Sequence, residues 1–105
     1  MPRYIFAVYS NPVEGREQEY LDWYANRHLD DLRACAGVIS ARHLTMAEQQ
    51  FTDVRPQPFK YFALYEVETD DVRLFMNDVL SRVDTAAMPR SRALGDVSAV
   101  LWKVL

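Results

Sequence analysis

Apolar and polar positions change period several times along the chain, and each change marks a new element. Arg3–Tyr9 is dense in aromatic and β-branched residues and stops at Ser10-Asn11-Pro12, a strand followed by turn chemistry. From Glu14 to Ala34 the apolar spacing becomes helical, with acidic residues at the start and Gly37 just past the end. Val38–Met46 reads as a second strand. Ala47–Phe59 is polar, carries Pro56 and Pro58, and forms a loop leading to the third strand, Lys60–Val67. Asp70 or Asp71 caps a second helix running to about Asp84, with Val72, Phe75, Met76, Val79 and Val83 as its apolar stripe. Thr85–Ser98, containing Pro89 and Gly95, is irregular, and Ala99–Leu105 is a final strand.

The order β-α-β-β-α-β predicts an α+β, ferredoxin-like fold in which two helices lie on one face of a four-stranded antiparallel sheet. The strands add a second expectation, because alternation should leave one polar face where a sheet meets water. Here both parities are largely apolar: Tyr4, Phe6 and Val8 oppose Ile5, Ala7 and Tyr9; Phe62 and Leu64 oppose Tyr61, Ala63 and Tyr65; Val100, Trp102 and Val104 oppose Ala99 and Leu101. A helix layer covers only one of those faces, so the other calls for a homodimer packed through the sheet.

Composition narrows the class. The 105 residues suit a single domain spanning 1–105; half are apolar or aromatic, about a quarter are charged and only three are glycine, as in a folded protein and not a disordered one. A net charge of −3, with no basic patch, argues against nucleic acid as a partner. The N-terminal apolar run is too short for a signal-peptide core or a membrane span, so no membrane role and a cytoplasmic location are expected. The one cysteine, Cys35, has no disulfide partner and reads as a small apolar residue near a helix end; no Cys/His cluster has zinc-site spacing.

Candidate chemistry centres on the first helix. At about 100° per residue, Leu21, Tyr24, Ala25, His28 and Leu32 share one stripe, with His28 near its midline, and Trp23 falls on roughly the opposite side. A histidine aimed at a core is either a hydrogen-bonded packing residue or a group that moves a proton near neutral pH. Tyr24 leans into the same space, and the sheet phenols Tyr4, Tyr9, Tyr61 and Tyr65 are within its reach. His43, facing the same way as Ile39 and Ala41, lines either the pocket or the dimer interface. Trp23 is expected to pack against a terminal segment or the partner protomer, and Asp31 to mark a solvated edge. Arg42, of opposite parity to His43, is placed to pair with a carboxylate across the sheet; Arg90 and Arg92 lie in the irregular segment, where a flap brings a cation to an anionic substrate or, the preferred reading, a loop leaves them solvated.

The motif Trp23-Tyr24, His28-Leu29, Asp31-Leu32 and Gly37-Val38-Ile39-Ser40-Ala41-Arg42 resembles the EthD-like proteins of the dimeric α/β-barrel superfamily. It departs from their pattern at Asn26-Arg27, Asp30 and Ala36. The resemblance implies two ferredoxin-like protomers packed sheet to sheet, each with a pocket between sheet and helices. The superfamily includes polyketide cyclases, cofactorless monooxygenases, lactone isomerases and haem-dependent enzymes, so the fold leaves the reaction open.

Together these readings give a homodimeric enzyme that needs no metal or organic cofactor. Its ligand would be a hydrophobic small molecule, an aromatic or polyketide-like oxygenated metabolite. His28 would be the general acid or base of a cyclase, isomerase or dehydratase, with Tyr24, Tyr9, Tyr61, Tyr65 and His43 holding the substrate. The alternatives are a cofactorless monooxygenase, a non-catalytic ligand-binding or accessory dimer, and a haem protein with His28 as axial ligand.

Overall fold

The computed structural model describes residues 1–53 and 55–105; within the expected loop Ala47–Phe59, Val54 lies outside the described residues. The elements follow the order read from the sequence: β1 (Arg3–Pro12), α1 (Glu17–Trp23), a π-helical turn (Tyr24–His28), α2 (Leu29–Arg33), β2 (Val38–Thr45), β3 (Tyr61–Glu68), α3 (Val72–Arg82) and β4 (Leu94–Lys103). The strands form one sheet in the order β2-β3-β1-β4, every neighbouring pair antiparallel. This is the ferredoxin-like α+β architecture. α1, the π turn and α2 join into one continuous helical run, the first of the two expected helices.

Several boundaries moved for local reasons. β1 continues past Tyr9, with Ser10 opposite Tyr61 and Val97 and Pro12 opposite Leu94 after a shift in register. A proline without an N–H is tolerated there because the strand is ending. β4 correspondingly begins at Leu94, so part of the segment expected to be irregular is paired strand. A Cβ on Gly95 would lie 2.7 Å from the Asn11 carbonyl oxygen, which explains a glycine where the two backbones close up. The first helix starts at Glu17 because Val13–Arg16 is used as a turn, closed by Arg16 N–H donating to the Val13 carbonyl at 2.9 Å. α3 starts as expected, the Asp71 side chain accepting from the Arg73 N–H, but stops at Arg82; Asp84 then takes a positive φ of 63°.

Pairing assigns the two faces. Tyr4, Phe6, Val8 and Ser10 of β1 stand with Tyr61, Ala63, Tyr65 and Val67 of β3 on the helix side, as their register requires. Tyr20, Tyr24, Leu32 and Phe75 descend from the helices to close a core over them. The opposite side carries Ile5, Ala7 and Tyr9 with Phe62, Leu64, Leu44, Val100 and Trp102. Among the described residues no helix or strand covers that face, and Trp102 remains 55% exposed.

Candidate functional site

The first helix changes pitch where the candidate residues sit. Leu29 N–H donates to the Tyr24 carbonyl, a bond spanning five residues that fits one extra residue into the turn. In an unbroken α-helix Trp23 and His28 would lie about 140° apart. The wider turn instead stacks the Trp23 indole on the His28 imidazole, ring centres 4.3 Å apart and planes 20° from parallel. Trp23 is thus part of the site and not on the opposite side. Its indole N–H also donates to the Pro89 carbonyl at 3.2 Å, and Arg27 Nη2 to that of Ala86 at 2.7 Å, so two residues flanking His28 hold the loop after α3.

Beneath that loop lies a cavity of about 250 Å³ between the sheet, the π turn and α3. Phe6, Val8, Leu32, Val79 and Met88 make much of its wall apolar, while His28, Tyr24, Tyr65 and Trp23 supply its inner polar groups. Two of these groups are unsatisfied: His28 Nδ1 and the Tyr65 hydroxyl are buried without a hydrogen-bond partner among the described residues. Each such atom costs about 1–3 kcal/mol. Burial depresses the His28 pKa to about 4, against a smaller opposing pull from Asp31, so the imidazole is neutral at pH 7. Burial likewise pushes the Tyr65 phenol well above its ordinary value. The site therefore presents a neutral imidazole and a protonated phenol in largely apolar surroundings.

A satisfied network borders the cavity. The fully buried Ser10 hydroxyl and the Tyr20 hydroxyl are 2.6 Å apart, and Tyr20 is hydrogen-bonded to His43 Nε2 at 3.0 Å. The His43 ring stacks on Tyr24, centres 3.9 Å apart, and Tyr24 meets His28 edge-on at 5.2 Å. Burial lowers the His43 pKa to about 4 as well. Tyr61 extends the cluster, its hydroxyl donating to Glu17 and its ring lying 5.2 Å from that of Tyr20. His43 therefore stands behind Tyr24, outside the cavity wall, stacked on its ring, and Tyr61 lies a step further back against Tyr20 and His43. Neither alternative for His43 is met: it faces the helices and not the uncovered sheet side, but it stands behind Tyr24 and does not line the cavity.

Of the expected site residues, the structure brings His28, Tyr24 and Tyr65 to one cavity and sets His43 and Tyr61 beside it. Tyr9 is elsewhere, on the opposite sheet face, stacked on Phe62 in an open hollow of about 470 Å³ with Phe59 and Lys60. Asp31 is not a solvated edge, since both its oxygens take the Arg27 Nε proton at 3.0 Å and its side chain is only 11% exposed. Arg42 reaches Glu66 across the sheet at 4.0 Å, as its parity suggested. Arg92 is exposed and paired with Glu19, whereas Arg90, though also exposed, lines the cavity. Cys35 is buried in the core.

Among the described residues no group of three or more His, Cys, Asp or Glu is placed to hold a metal ion, and no helix is long and apolar enough to cross a membrane. Haem does not fit the cavity: a void of about 150 Å³ takes benzene, and about 250 Å³ takes one substituted ring, not a macrocycle.

Sheet, helices and cavity define a ferredoxin-like domain with a ring-sized chamber between its two layers. No family model matches the chain, and no curated protein does either. Among solved structures it is similar to an ethyl tert-butyl ether degradation (EthD) family protein from Bacillus halodurans, with 12% identity and a TM-score of 0.54 over 100% of both chains. The likeness is one of fold, and it agrees in kind with the motif at Trp23, Tyr24 and His28.

Proposed function

We propose that this chain is a small-molecule enzyme that transfers a proton on an aromatic or polyketide-like oxygenated metabolite, as a cyclase, isomerase or dehydratase does. The observation that carries the reading is the pair of unpartnered buried polar atoms, His28 Nδ1 and the Tyr65 hydroxyl, on residues of one apolar cavity. Neither atom has accessible surface of its own, so a ligand oxygen or acidic C–H gives them the partner they lack by shifting these walls as it enters. The neutral imidazole is the acceptor for a proton α to a carbonyl; the phenol is a donor to the oxygen on which negative charge develops. Tyr24, held by its stack on His43, fixes the edge of the imidazole, and Trp23 covers its face.

The working unit in this proposal is a homodimer joined through the uncovered sheet face, whose Ile5, Leu64, Val100 and Trp102 have no covering helix or strand among the described residues. Burial of such a face is favourable by about 25 cal/mol per Å² of apolar surface. A non-catalytic binding role is the second reading. It is favoured by the lack, among the described residues, of a carboxylate hydrogen-bonded to His28, since the Asp31 oxygens are taken by Arg27.

The test is a thermal-shift and mass-spectrometric screen of wild type and His28→Gln against phenols, quinones, lactones and linear polyketide mimics. The expected result is a compound that stabilises wild type by about 2.7 kcal/mol at a hundredfold excess over its Kd and is converted only when His28 is present. A folded His28→Gln variant that turns over the same compound at the wild-type rate overturns the catalytic assignment. Binding without conversion by wild type moves the assignment to the second reading.

A further inference from the structure

The charged residues on the cavity wall are Asp84 and Arg90, at the loop that closes it. Their arrangement is specific. Asp84 holds a positive φ of 63°, a backbone state disfavoured for a residue with a Cβ, and its N–H donates to the Met88 carbonyl at 3.1 Å. From there its carboxylate accepts Arg90 Nε at 3.0 Å. Pro89, the residue before Arg90, is itself fixed through its carbonyl to the Trp23 indole. The guanidinium is thus held by Asp84 on a backbone fixed one residue earlier, while its two terminal nitrogens have no hydrogen-bond partner among the described residues.

Arg82 is tethered through Nε to Asp78 in the same way, at 2.9 Å, but it does not line the cavity, and several other arginines spend their terminal nitrogens. Arg27 uses Nη2 on the Ala86 carbonyl, Arg33 uses Nη1 and Nη2 on Asp30 and Ala41, and Arg92 uses Nη2 on Glu19. A guanidinium tethered through Nε presents its end as a planar pair of donors, the geometry that matches the two oxygens of a carboxylate. At the inner end of the same cavity stand the neutral His28 and Tyr65, which suit an uncharged oxygen.

We infer that the cavity takes a small monoanionic acid, a single substituted ring or a chain of similar bulk, whose carboxylate pairs with Arg90 at the mouth and whose hydroxyl or carbonyl points inward. The inference rests on the proposed function in using the same cavity, and it adds the charge and polarity of the ligand. Asp84 is a positioning residue in this scheme: it aims the guanidinium and leaves the terminal nitrogens open. A volume of about 250 Å³ accommodates a ring with substituents at both ends.

The probes are para-hydroxybenzoate, para-hydroxyphenylacetate and para-hydroxycinnamate, which differ in reach, with their methyl esters and with tyramine as a cationic counterpart. Binding is measured by calorimetric titration to wild type, Arg90→Gln and His28→Gln at low and high salt. The acid of matching reach is expected to bind wild type roughly tenfold more tightly than its ester, the advantage of one charge-assisted pair at a partly exposed site. That advantage should vanish in Arg90→Gln and shrink with salt, while ester affinity stays within about twofold.

Equal binding of acid and ester, tighter binding of tyramine than of any acid, or an acid preference that survives Arg90→Gln overturns the inference. None of those outcomes touches the cavity assignment, provided both ligands weaken in His28→Gln. Failure of every acid and every ester to bind the folded wild type overturns both. Far-UV circular dichroism of each variant confirms that affinities are compared between folded proteins.

Discussion

Removing the Tyr65 hydroxyl should make the protein more stable, although the residue is among its most deeply buried. The ring lies at the centre of β3 with no surface exposed, tilted against Phe6 at 5.8 Å, and phenylalanine preserves that packing. What Tyr65→Phe deletes is an oxygen that is desolvated in the folded state without a hydrogen bond. In the unfolded chain the same hydroxyl is bonded to water, so the native state carries the whole cost, about 1–3 kcal/mol. Relief of even about 1 kcal/mol shifts the melting temperature of a domain near 100 residues by about 4–8 °C. Scanning calorimetry gives that shift, and urea titration should show a higher midpoint at unchanged slope. The variant should at the same time bind oxygenated ligands more weakly, the combination expected of a polar group kept unsatisfied for a ligand. A melting temperature equal to or below that of wild type would refute the reasoning, because it would mean that the hydroxyl already has a partner in the folded protein.

Three further outcomes follow from the geometry. His28 and His43 have native pKa values of about 4 against an ordinary 6.5, so the unfolded state binds more protons between those values. Stability should be full above about pH 6.5 and fall as the pH drops towards 4, by on the order of 3 kcal/mol per histidine; urea titrations of wild type, His28→Gln and His43→Gln across that range should show each variant losing part of the slope. Light scattering at micromolar concentration should give twice the chain mass for wild type, and Trp102→Asp, which puts a charge on the uncovered sheet face, should give a folded monomer; a monomeric wild type removes the dimer. Gly37→Ala should cost about 1–2 kcal/mol in calorimetry, since Gly37 has φ +88° and a Cβ there would lie 3.0 Å from the Glu68 carbonyl oxygen.

The fold was legible because its signals are local and agree with one another. Alternation in β1 and β3, the apolar stripe and Asp71 cap of α3, and the turn residues between elements all point to the same sheet with two helices. The two-sided strands announced an uncovered face, and that face is there. Tyr9 shows where the reading stopped: alternation says that Tyr9 and Val8 face opposite ways, but only the pairing of Val8 with Ala63 tells which side meets the helices. Trp23 was misplaced for a different reason. A wheel drawn at about 100° per residue assumes an α-helix throughout, and nothing in Tyr24–His28 advertises the wider turn. Arg90 and Arg92 were not separable from the sequence, because only the folding of their loop back onto a helix distant in sequence puts Arg90, and not Arg92, on the cavity wall. A long-range latch such as Trp23 to Pro89 leaves no periodic trace in the sequence.

The extra residue in the π turn also bears on how this chain is to be compared with others. A relative whose first helix is α throughout would present the same faces before and after the turn with one residue fewer between them. Matched position for position without a gap, the two sequences would agree on one side of Tyr24–His28 and fall out of step on the other. Either the Trp23-Tyr24 pair or the His28-Leu29 pair would then be set against non-equivalent residues, and a shared site would be scored as unrelated. Placing a single gap at the exposed Ala25 or Asn26 restores the phase of both halves. In this protein a one-residue difference in length is therefore a statement about helical pitch, and equivalence is better judged from the rings that stack than from the count of residues between them.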